Sequence, residues 1–486
     1  MTTNGDPATG SSGRQTKIIA TLGPAVESPE AVADLVAAGM DVARLNFSHG
    51  DHDSHRKFIG WVRAAAEEQQ KPVAVLQDIQ GPKLRVGRFP GGSINLKAGA
   101  ETVLVNSEDA APGAIAINYP HLLEDVEPGE QVLLADGLIR LQVVERLADG
   151  LRAKIVEGGI LNDQKGVAFP ETNLQVPAVT EKDKLDLAFG QEIGVDFVAA
   201  SFVRSAADIA EVAARVGNGV PVIAKIELAA ALSNLDGILE AAQGALVARG
   251  DLGVQIPLQK IPLIQRDVLR RANRAGVISI TATEMLESMT DSPRPTRAEV
   301  TDVASAIMAG TDAVMLSAET ATGRFPSETV RAMSDICLNA EQESRALKSR
   351  HRIDSTFTRV DEAIAMATMY TANHLNVRAI ATLTESGSTS LWMSRISSGI
   401  PIFALSRHES TNRKVNLYRG VSPVYFPTVH TNHAEANMEA VELMKKHGTI
   451  EDGDLVIITK GDLMGTGGGT NAMKIVEVGN MPDFVA

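Results

Sequence analysis

Along the chain, short apolar runs rich in Val, Ile and Ala recur, and each closes on a polar residue. They are Ile18–Thr21, Val42–Asn46, Val73–Asp78, Phe197–Ser201, Val220–Glu227, Ala245–Asp251, Val277–Thr283 and Ala313–Glu319. Runs that are apolar throughout, with no alternation, suit parallel strands covered on both faces. Between most of them lie stretches of helical periodicity: Pro29–Ala38, Leu185–Glu192, Ala206–Val216 and Pro262–Ala275. This alternation is a βα repeat, and eight such strands predict a closed (β/α)8 TIM barrel of the α/β class.

Most polar ends are about 25 to 36 residues apart, enough for a strand, a helix and two loops. One interval, Asp78 to Ser201, is 123 residues and too long for a crossover. A separate module is therefore expected inside it, over 84–171. There the texture shifts to short β-like segments (Ser93–Leu96, Thr102–Val105, Gln131–Leu134, Ile139–Val144, Leu151–Val156) divided by Gly, Pro and Asp turns. These predict a small all-β barrel or sandwich. Hanging from the third βα loop of the barrel, it would act as a lid. The barrel then comprises 14–83 and 172–345. Over 346–486 helix and strand alternate again (Asp361–Leu375, Ala379–Leu383, Thr389–Ser398, Ile402–Leu405), with later strands at Leu455–Thr459 and Lys474–Val478. An open α/β domain with its own core is expected there. Residues 1–13, rich in Thr, Gly and Ser, read as a disordered lead-in.

Composition narrows the function. The 486 residues carry 46 Lys and Arg against 60 Asp and Glu, a formal charge of −14, which gives no basic face for nucleic acid or a membrane surface. The single cysteine, Cys337, excludes an intrachain disulfide and fits a reducing, cytoplasmic setting. No apolar run approaches the roughly 20 residues that span a bilayer.

In a (β/α)8 barrel the active site lies at the C-terminal ends of the strands. The residues expected there are Thr21, Arg44 with Asn46 and Ser48, Asp78, Ser201, Lys225 with Glu227, Arg249 with Asp251, Thr283 and Glu319. Lys225-Ile226-Glu227 and Arg249-Gly250-Asp251 set charge inside or directly after apolar runs, and buried charge persists only when paired or bound to metal. Glu227 and Asp251 lie one strand apart and can share a hard cation. Two carboxylates completed by water and substrate oxygen suit Mg²⁺ or Mn²⁺. Lys225, two residues before Glu227, points to the same side of its strand and can neutralise charge on a transferring phosphoryl group or an enolate oxygen. Arg44 offers a planar fork for phosphate. The amides of Gly250 and Asp251, at a helix start, can hold a carboxylate. The predicted ligand carries both phosphate and carboxylate.

The segments Lys17–Pro24, Arg44–Gly50, Gln77–Gly87, Ala224–Glu227, Val247–Gly253, Thr281–Met289, Pro293–Glu299 and Met315–Thr320 closely resemble pyruvate kinase, in order, from Lys17 onward. The resemblance implies phosphoryl transfer from phosphoenolpyruvate to ADP, giving pyruvate and ATP, in a homotetramer. It implies that Glu227 and Asp251 bind Mg²⁺ or Mn²⁺, that Lys225 stabilises the phosphoryl group and enolate, and that Arg44 grips the phosphate. Ser201 joins the substrate-binding set. Gly250, Asp251 and Thr283 would hold the carboxylate, and Thr283 would belong to the proton path to the enolate carbon. Asn46, His49, Arg85 and Lys165 match positions that meet the nucleotide. There is no G-x-x-x-x-G-K-[ST] loop, so nucleotide binding rests on that likeness. Asn46, Ser48 and Asp78 match K⁺ ligands, yet Lys83 replaces the acidic residue usual in K⁺-requiring members. Its ammonium can supply the charge that K⁺ contributes elsewhere, so K⁺-independent activity is expected.

In the C-terminal region Thr384-Glu385-Ser386-Gly387-Ser388-Thr389 lies between a strand and a helix and reads as a phosphate nest. By resemblance the matching loop binds the phosphate of a sugar-phosphate activator. A glycine-rich loop, Gly461–Asn471, contains no Lys or Arg for a second phosphate. A monophosphorylated effector, a sugar monophosphate or AMP, is therefore expected. Two other readings stay open: a metal-dependent lyase or mutase acting on a pyruvate enolate, and a non-catalytic sugar-phosphate sensor. The first gives no reason for the lid, and the second predicts decay at the barrel mouth.

Overall fold

A computed structural model describes residues 13–107, 113–217, 219–345, 356–396, 398–427, 433–462 and 469–480. All of the expected lead-in except Gly13 therefore lies outside the described residues. Eight strands close into a barrel: β1 (Lys17–Thr21), β2 (Val42–Asn46), β3 (Ala74–Asp78), β4 (Phe197–Ala200), β5 (Val222–Ile226), β6 (Gly244–Ala248), β7 (Ile278–Ala282) and β8 (Ala313–Leu316). Their order around the barrel is β1-β8-β7-β6-β5-β4-β3-β2. Pairings such as Ile19 with Met315, Thr21 with Arg44 and Lys225 with Leu246 are parallel. Nearly every strand residue is buried, as the unbroken apolar runs require.

Two expected strands stop early. The run to Asp251 ends at Ala248, and Arg249–Gln255 is helical; the run to Glu319 ends at Leu316, and Ala318–Ala321 is helical. Hydrophobicity alone does not separate the last strand residue from the first helical turn, because Leu252 and Glu319 are as buried as the strand.

The starts of the strands share a device. A residue just before each even-numbered strand accepts a backbone N–H from the preceding odd one. Ile18 donates to Asp41 Oδ2 at 2.8 Å, Val75 to Asp196 Oδ2 at 2.8 Å, Val222 to Gln243 Oε1 at 2.9 Å and Ser279 to Asp312 Oδ2 at 2.8 Å. The three aspartates follow glycines at positive φ, Gly39, Gly194 and Gly310, that end the preceding helices.

The chain forms two compact units. One runs from the start of the described chain to Gln77, with Ile193–Val198 and Leu269 onward; the other comprises Asp78–Glu192 and Ala199–Val268. In the second unit the inserted module builds a six-stranded sheet and a separate pair, Ser93–Leu96 with Gly159–Asn162. Leu104, Ile117, Tyr119, Leu134, Leu141 and Leu161 are among its core residues. Unlike the all-β module expected, it includes one short helix, Leu122–Asp125.

In the first unit the C-terminal residues form a five-stranded sheet of β9 (Val377–Leu383), β10 (Ile402–Ser406), β11 (Val421–Tyr425), β12 (Leu455–Gly461) and β13 (Thr470–Glu477), ordered β11-β10-β9-β12-β13. Only β13 runs antiparallel to its neighbour. This domain grips the strand-starting aspartates. Arg395 makes a buried ion pair with Asp312 and donates to Val277 O at 2.7 Å, and Arg413 reaches Asp196 at 2.7 Å. Asn416 donates to the Asp41 carbonyl at 3.0 Å. Among the described residues no helix is long and apolar enough to cross a membrane.

Candidate active site

At the ends of β3 to β6, within the second unit, charged side chains gather around one ammonium. Lys225 Nζ donates to Ser201 Oγ at 2.7 Å and lies 2.9 Å from Glu227 Oε1 and 3.2 Å from Asp78 Oδ1. Strand alternation turns Lys225 and Glu227 to the same side, as their two-residue spacing predicts. Ser201 Oγ is anchored in turn, 2.7 Å from Ile79 O and 3.2 Å from Asp78 Oδ1. The position of Ser201 is fixed by close packing. Gly81, at φ +65°, passes so near that a Cβ there would lie 2.9 Å from Ser201 O. Only 1% of the Glu227 side chain is exposed, and burial together with the nearby Asp251 carboxylate holds its carboxyl above the ordinary value, against the pull of Lys225.

Asp251 sits in the first turn of the helix Arg249–Gln255, where Gly250 precedes it. Lys83 turns inward: its Nζ lies 3.1 Å from Asp251 Oδ1 and 5.8 Å from the centre of the Phe202 ring, within reach of a cation–π contact. Phe202, which the sequence reading did not single out, also donates its N–H to Glu227 Oε2 at 2.6 Å from a left-handed backbone at φ +57°. Its signal in the sequence was its place directly after Ser201, where a strand must turn sharply.

A buried carboxylate, Glu227, and a partly exposed one, Asp251, that repel each other would be stabilised by a divalent cation, and oxygen donors suit Mg²⁺ or Mn²⁺. Among the described residues there is no group of three or more His, Cys, Asp or Glu disposed to hold a metal. An ion bound by Glu227 and Asp251 would complete its shell with water and substrate oxygen, as Mg²⁺ favours. The residues present fit the group.

In the first unit, Arg44 at the end of β2 is buried and donates from Nη1 to Thr21 Oγ1 at 2.9 Å; Thr21 Oγ1 donates to Leu316 O at 2.7 Å. Asn46, Ser48 and His49 follow in a turn, where Asn46 Oδ1 accepts from Ser48 N at 3.2 Å and Asn46 O from His49 N at 3.1 Å. Thr283 directly follows β7 at φ +65°, and Glu284 at φ +52° continues the left-handed turn. Arg85 and Lys165, on the inserted module, stand side by side: Arg85 pairs with Gly166 in a β-bridge, and Val86 N donates to Lys165 O at 2.9 Å.

The loop Thr384–Thr389 lies between β9 and the helix Ser388–Ser394. Its amides are less free than a phosphate nest requires, since Gly387 N donates to Thr384 Oγ1 at 2.9 Å. Ser388 Oγ donates to Asp361 Oδ2 at 2.9 Å, and Thr389 Oγ1 to Thr470 Oγ1 at 2.7 Å. Glu385 is held by Arg407 at 3.3 Å and His408 at 2.5 Å. Neither partner was read from the sequence, because each lies more than 20 residues from Glu385 and only the β9–β10 pairing brings them near. Of the glycine-rich loop, 463–468 lie outside the described residues.

Comparison with known proteins bears on this geometry. A family model described as pyruvate kinase, barrel domain, matches residues 13–330, and another, pyruvate kinase, alpha/beta domain, matches residues 362–476. The chain is similar to pyruvate kinase II of Salmonella typhimurium, 45% identical over 475 residues that span 96% of this chain and 99% of the relative. It is 44% identical over 471 residues to a pyruvate kinase of Geobacillus stearothermophilus (95% of this chain, 80% of the relative). With a pyruvate kinase of Haemophilus influenzae it shares 43% identity over 458 residues (92% and 96%).

Proposed function

The chain belongs to the pyruvate kinase family, and we propose that it transfers the phosphoryl group of phosphoenolpyruvate to ADP with Lys225 at the centre of the chemistry. The observation that carries this reading is the Lys225 ammonium, fixed by Ser201, Asp78 and Glu227 beside the Asp251 carboxylate. A preorganised positive charge gains most where negative charge develops, here on the transferring phosphoryl group and the enolate oxygen left behind. Arg44, steadied by Thr21, would hold the phosphate with its guanidinium fork. The amides of Gly250 and Asp251 and the hydroxyl of Thr283 would hold the carboxylate. Glu227 and Asp251 would hold a divalent ion, Mg²⁺ or Mn²⁺, which would supply positive charge to the bound substrate. Asn46, His49, Arg85 and Lys165 would receive the nucleotide, and closure of the lid would exclude water from the phosphoryl group.

Lys83 is read as standing in for K⁺ at the site that Asn46, Ser48 and Asp78 match. What supports this is that its ammonium rests on Asp251, although more than a quarter of the side chain is exposed. The enzyme would work as a cytoplasmic homotetramer of glycolysis. An effector with one phosphate, a sugar monophosphate or AMP, would bind at Thr384–Thr389 and favour the active arrangement through higher affinity for it. The absence of Lys and Arg from Gly461–Asn471 is what supports one phosphate over two.

The test is ADP-dependent pyruvate formation with and without Mg²⁺, in the native chain and in Glu227→Gln. The expected result is activity abolished by chelation and restored by Mg²⁺, with the variant needing far more metal. Pyruvate formed at the same rate without ADP would favour the lyase reading instead.

A further inference from the structure

Thr283 and Glu284 are consecutive non-glycine residues in the left-handed region, at φ +65° and +52°. Such a turn is costly for L-residues and persists only where surrounding contacts over-determine it. The structure shows what does so. The Glu319 carboxylate, fully buried, accepts the N–H of Leu286 on Oε1 at 3.1 Å and the N–H of Ser317 on Oε2 at 2.6 Å. One oxygen thus holds the strand-end loop that carries Thr283, and the other the turn that ends β8. The next residue, Thr320, donates its hydroxyl to Thr21 O at 2.9 Å, so the turn is itself anchored to β1. Glu319 therefore joins the Thr283 loop to a rigid part of the barrel through two charge-assisted hydrogen bonds, the strong kind.

We propose that Glu319 is a positioning residue for Thr283: it holds the strained turn that carries Thr283, whose hydroxyl donates to Ala282 O at 2.6 Å here and would serve the proton path to the enolate carbon. The inference rests on the reading that Thr283 belongs to that path. In the step concerned the phosphoryl group has already passed to ADP. The enolate C–O bond becomes a carbonyl, and C3 takes up one proton from a donor in exchange with solvent. In the steps before it Thr283 serves only to hold the substrate carboxylate, so with saturating phosphoenolpyruvate a loosened turn slows phosphoryl transfer far less than proton delivery. Replacing it with Gln keeps the shape but turns one of the two acceptors into an NH₂ that faces an N–H, which releases the loop.

By microscopic reversibility an enzyme that delivers a proton to C3 also removes one from the pyruvate methyl group. The experiment compares two rates in Glu319→Gln with Mg²⁺ present. One is exchange of the pyruvate methyl protons into D₂O, followed by NMR; the other is ATP formation from phosphoenolpyruvate and ADP. Exchange should fall by about 100-fold, the loss typical of a misplaced proton-transfer group. ATP formation should fall less than about tenfold, since a released enolate can take its proton from water. Glu319→Asp, which keeps the carboxylate one methylene short, should show a smaller selective loss, and it carries the test if the Gln variant does not fold. Equal falls in both rates, or no fall in either, would overturn the proposal. Exchange lost in Thr283→Ala but kept in Glu319→Gln would overturn it alone, whereas exchange kept in Thr283→Ala would overturn the reading of Thr283 as well.

Discussion

Substituting alanine for Gly81 tests the packing that holds Lys225. At φ +65° an L-residue pays a left-handed backbone cost of about 1–2 kcal/mol that glycine escapes. The added Cβ would lie 2.9 Å from Ser201 O, 3.0 Å from Ser201 Cβ and 3.3 Å from Phe202 Cδ2. Two of these three neighbours are parts of Ser201 that cannot rotate away, so the strand end itself must shift; overpacking of this kind costs about 1–3 kcal/mol. Together the two effects predict a loss of roughly 2–5 kcal/mol, or several degrees in Tm. The shift moves Ser201 Oγ, the acceptor 2.7 Å from Lys225 Nζ. A displacement of a few tenths of an ångström at a reacting group is expected to lower kcat by about tenfold or more. The assay pairs thermal unfolding by circular dichroism with steady-state kinetics at saturating substrates. An unchanged Tm together with kcat within twofold of the native chain would refute the reasoning, because the Cβ would then have fitted without moving Ser201.

Three further outcomes are expected. Arg395→Leu leaves the Asp312 carboxylate buried with its cation removed, and denaturant unfolding should show a loss of about 3–5 kcal/mol; a loss under 1 kcal/mol would contradict the buried-pair account. Lys17 is buried in β1, and desolvation pulls its ammonium down to about 8 from 10.5. Between those values the unfolded chain binds the proton more tightly than the folded one, so the stability from this group is full above about 10.5 and is lost as pH falls towards 8. Relative to Lys17→Met, the native chain should gain roughly 2 kcal/mol between pH 7.5 and pH 10, read from denaturant midpoints. Lys83→Glu restores the acidic residue of K⁺-requiring relatives; without K⁺ its activity should drop by roughly tenfold or more, and added K⁺ should restore it.

The barrel strands were legible because each is buried on both faces and so reads as one unbroken apolar run. Val42–Asn46 was bounded to the residue, as was the helix Pro29–Ala38, whose Ser28 cap bonds Ala31 N. Legibility failed where burial and backbone direction part company, as at Ala248 and Leu316. In the C-terminal sheet β11 escaped notice because it is an edge strand, half-buried and interrupted by Pro423, a residue that edges tolerate. The helix His433–Lys446 also went unread, since alanines supply much of its buried face and give little periodic signal.

At the site, charge inside apolar runs pointed to Lys225, Glu227 and Asp251, since buried charge demands a partner. The partners of Lys225 were harder to read. Ser201 and Asp78 lie 123 residues apart in the chain, and only the pairing of neighbouring strands β3 and β4 joins them. The restraints on the strand-end loops were invisible for a different reason. Phe202 and Leu286 act through backbone N–H groups, which side-chain identity does not reveal.

The central claim, that Lys225 and its carboxylates transfer a phosphoryl group with Lys83 supplying the monovalent charge, has one direct test. Pyruvate formation from phosphoenolpyruvate and ADP with Mg²⁺ is measured in K⁺-free buffer and again with K⁺, at constant ionic strength. The account predicts full activity in both. A manyfold rise on adding K⁺ would contradict the role given to Lys83, and no ADP-dependent pyruvate in either buffer, even with sugar monophosphates present, would contradict the account as a whole.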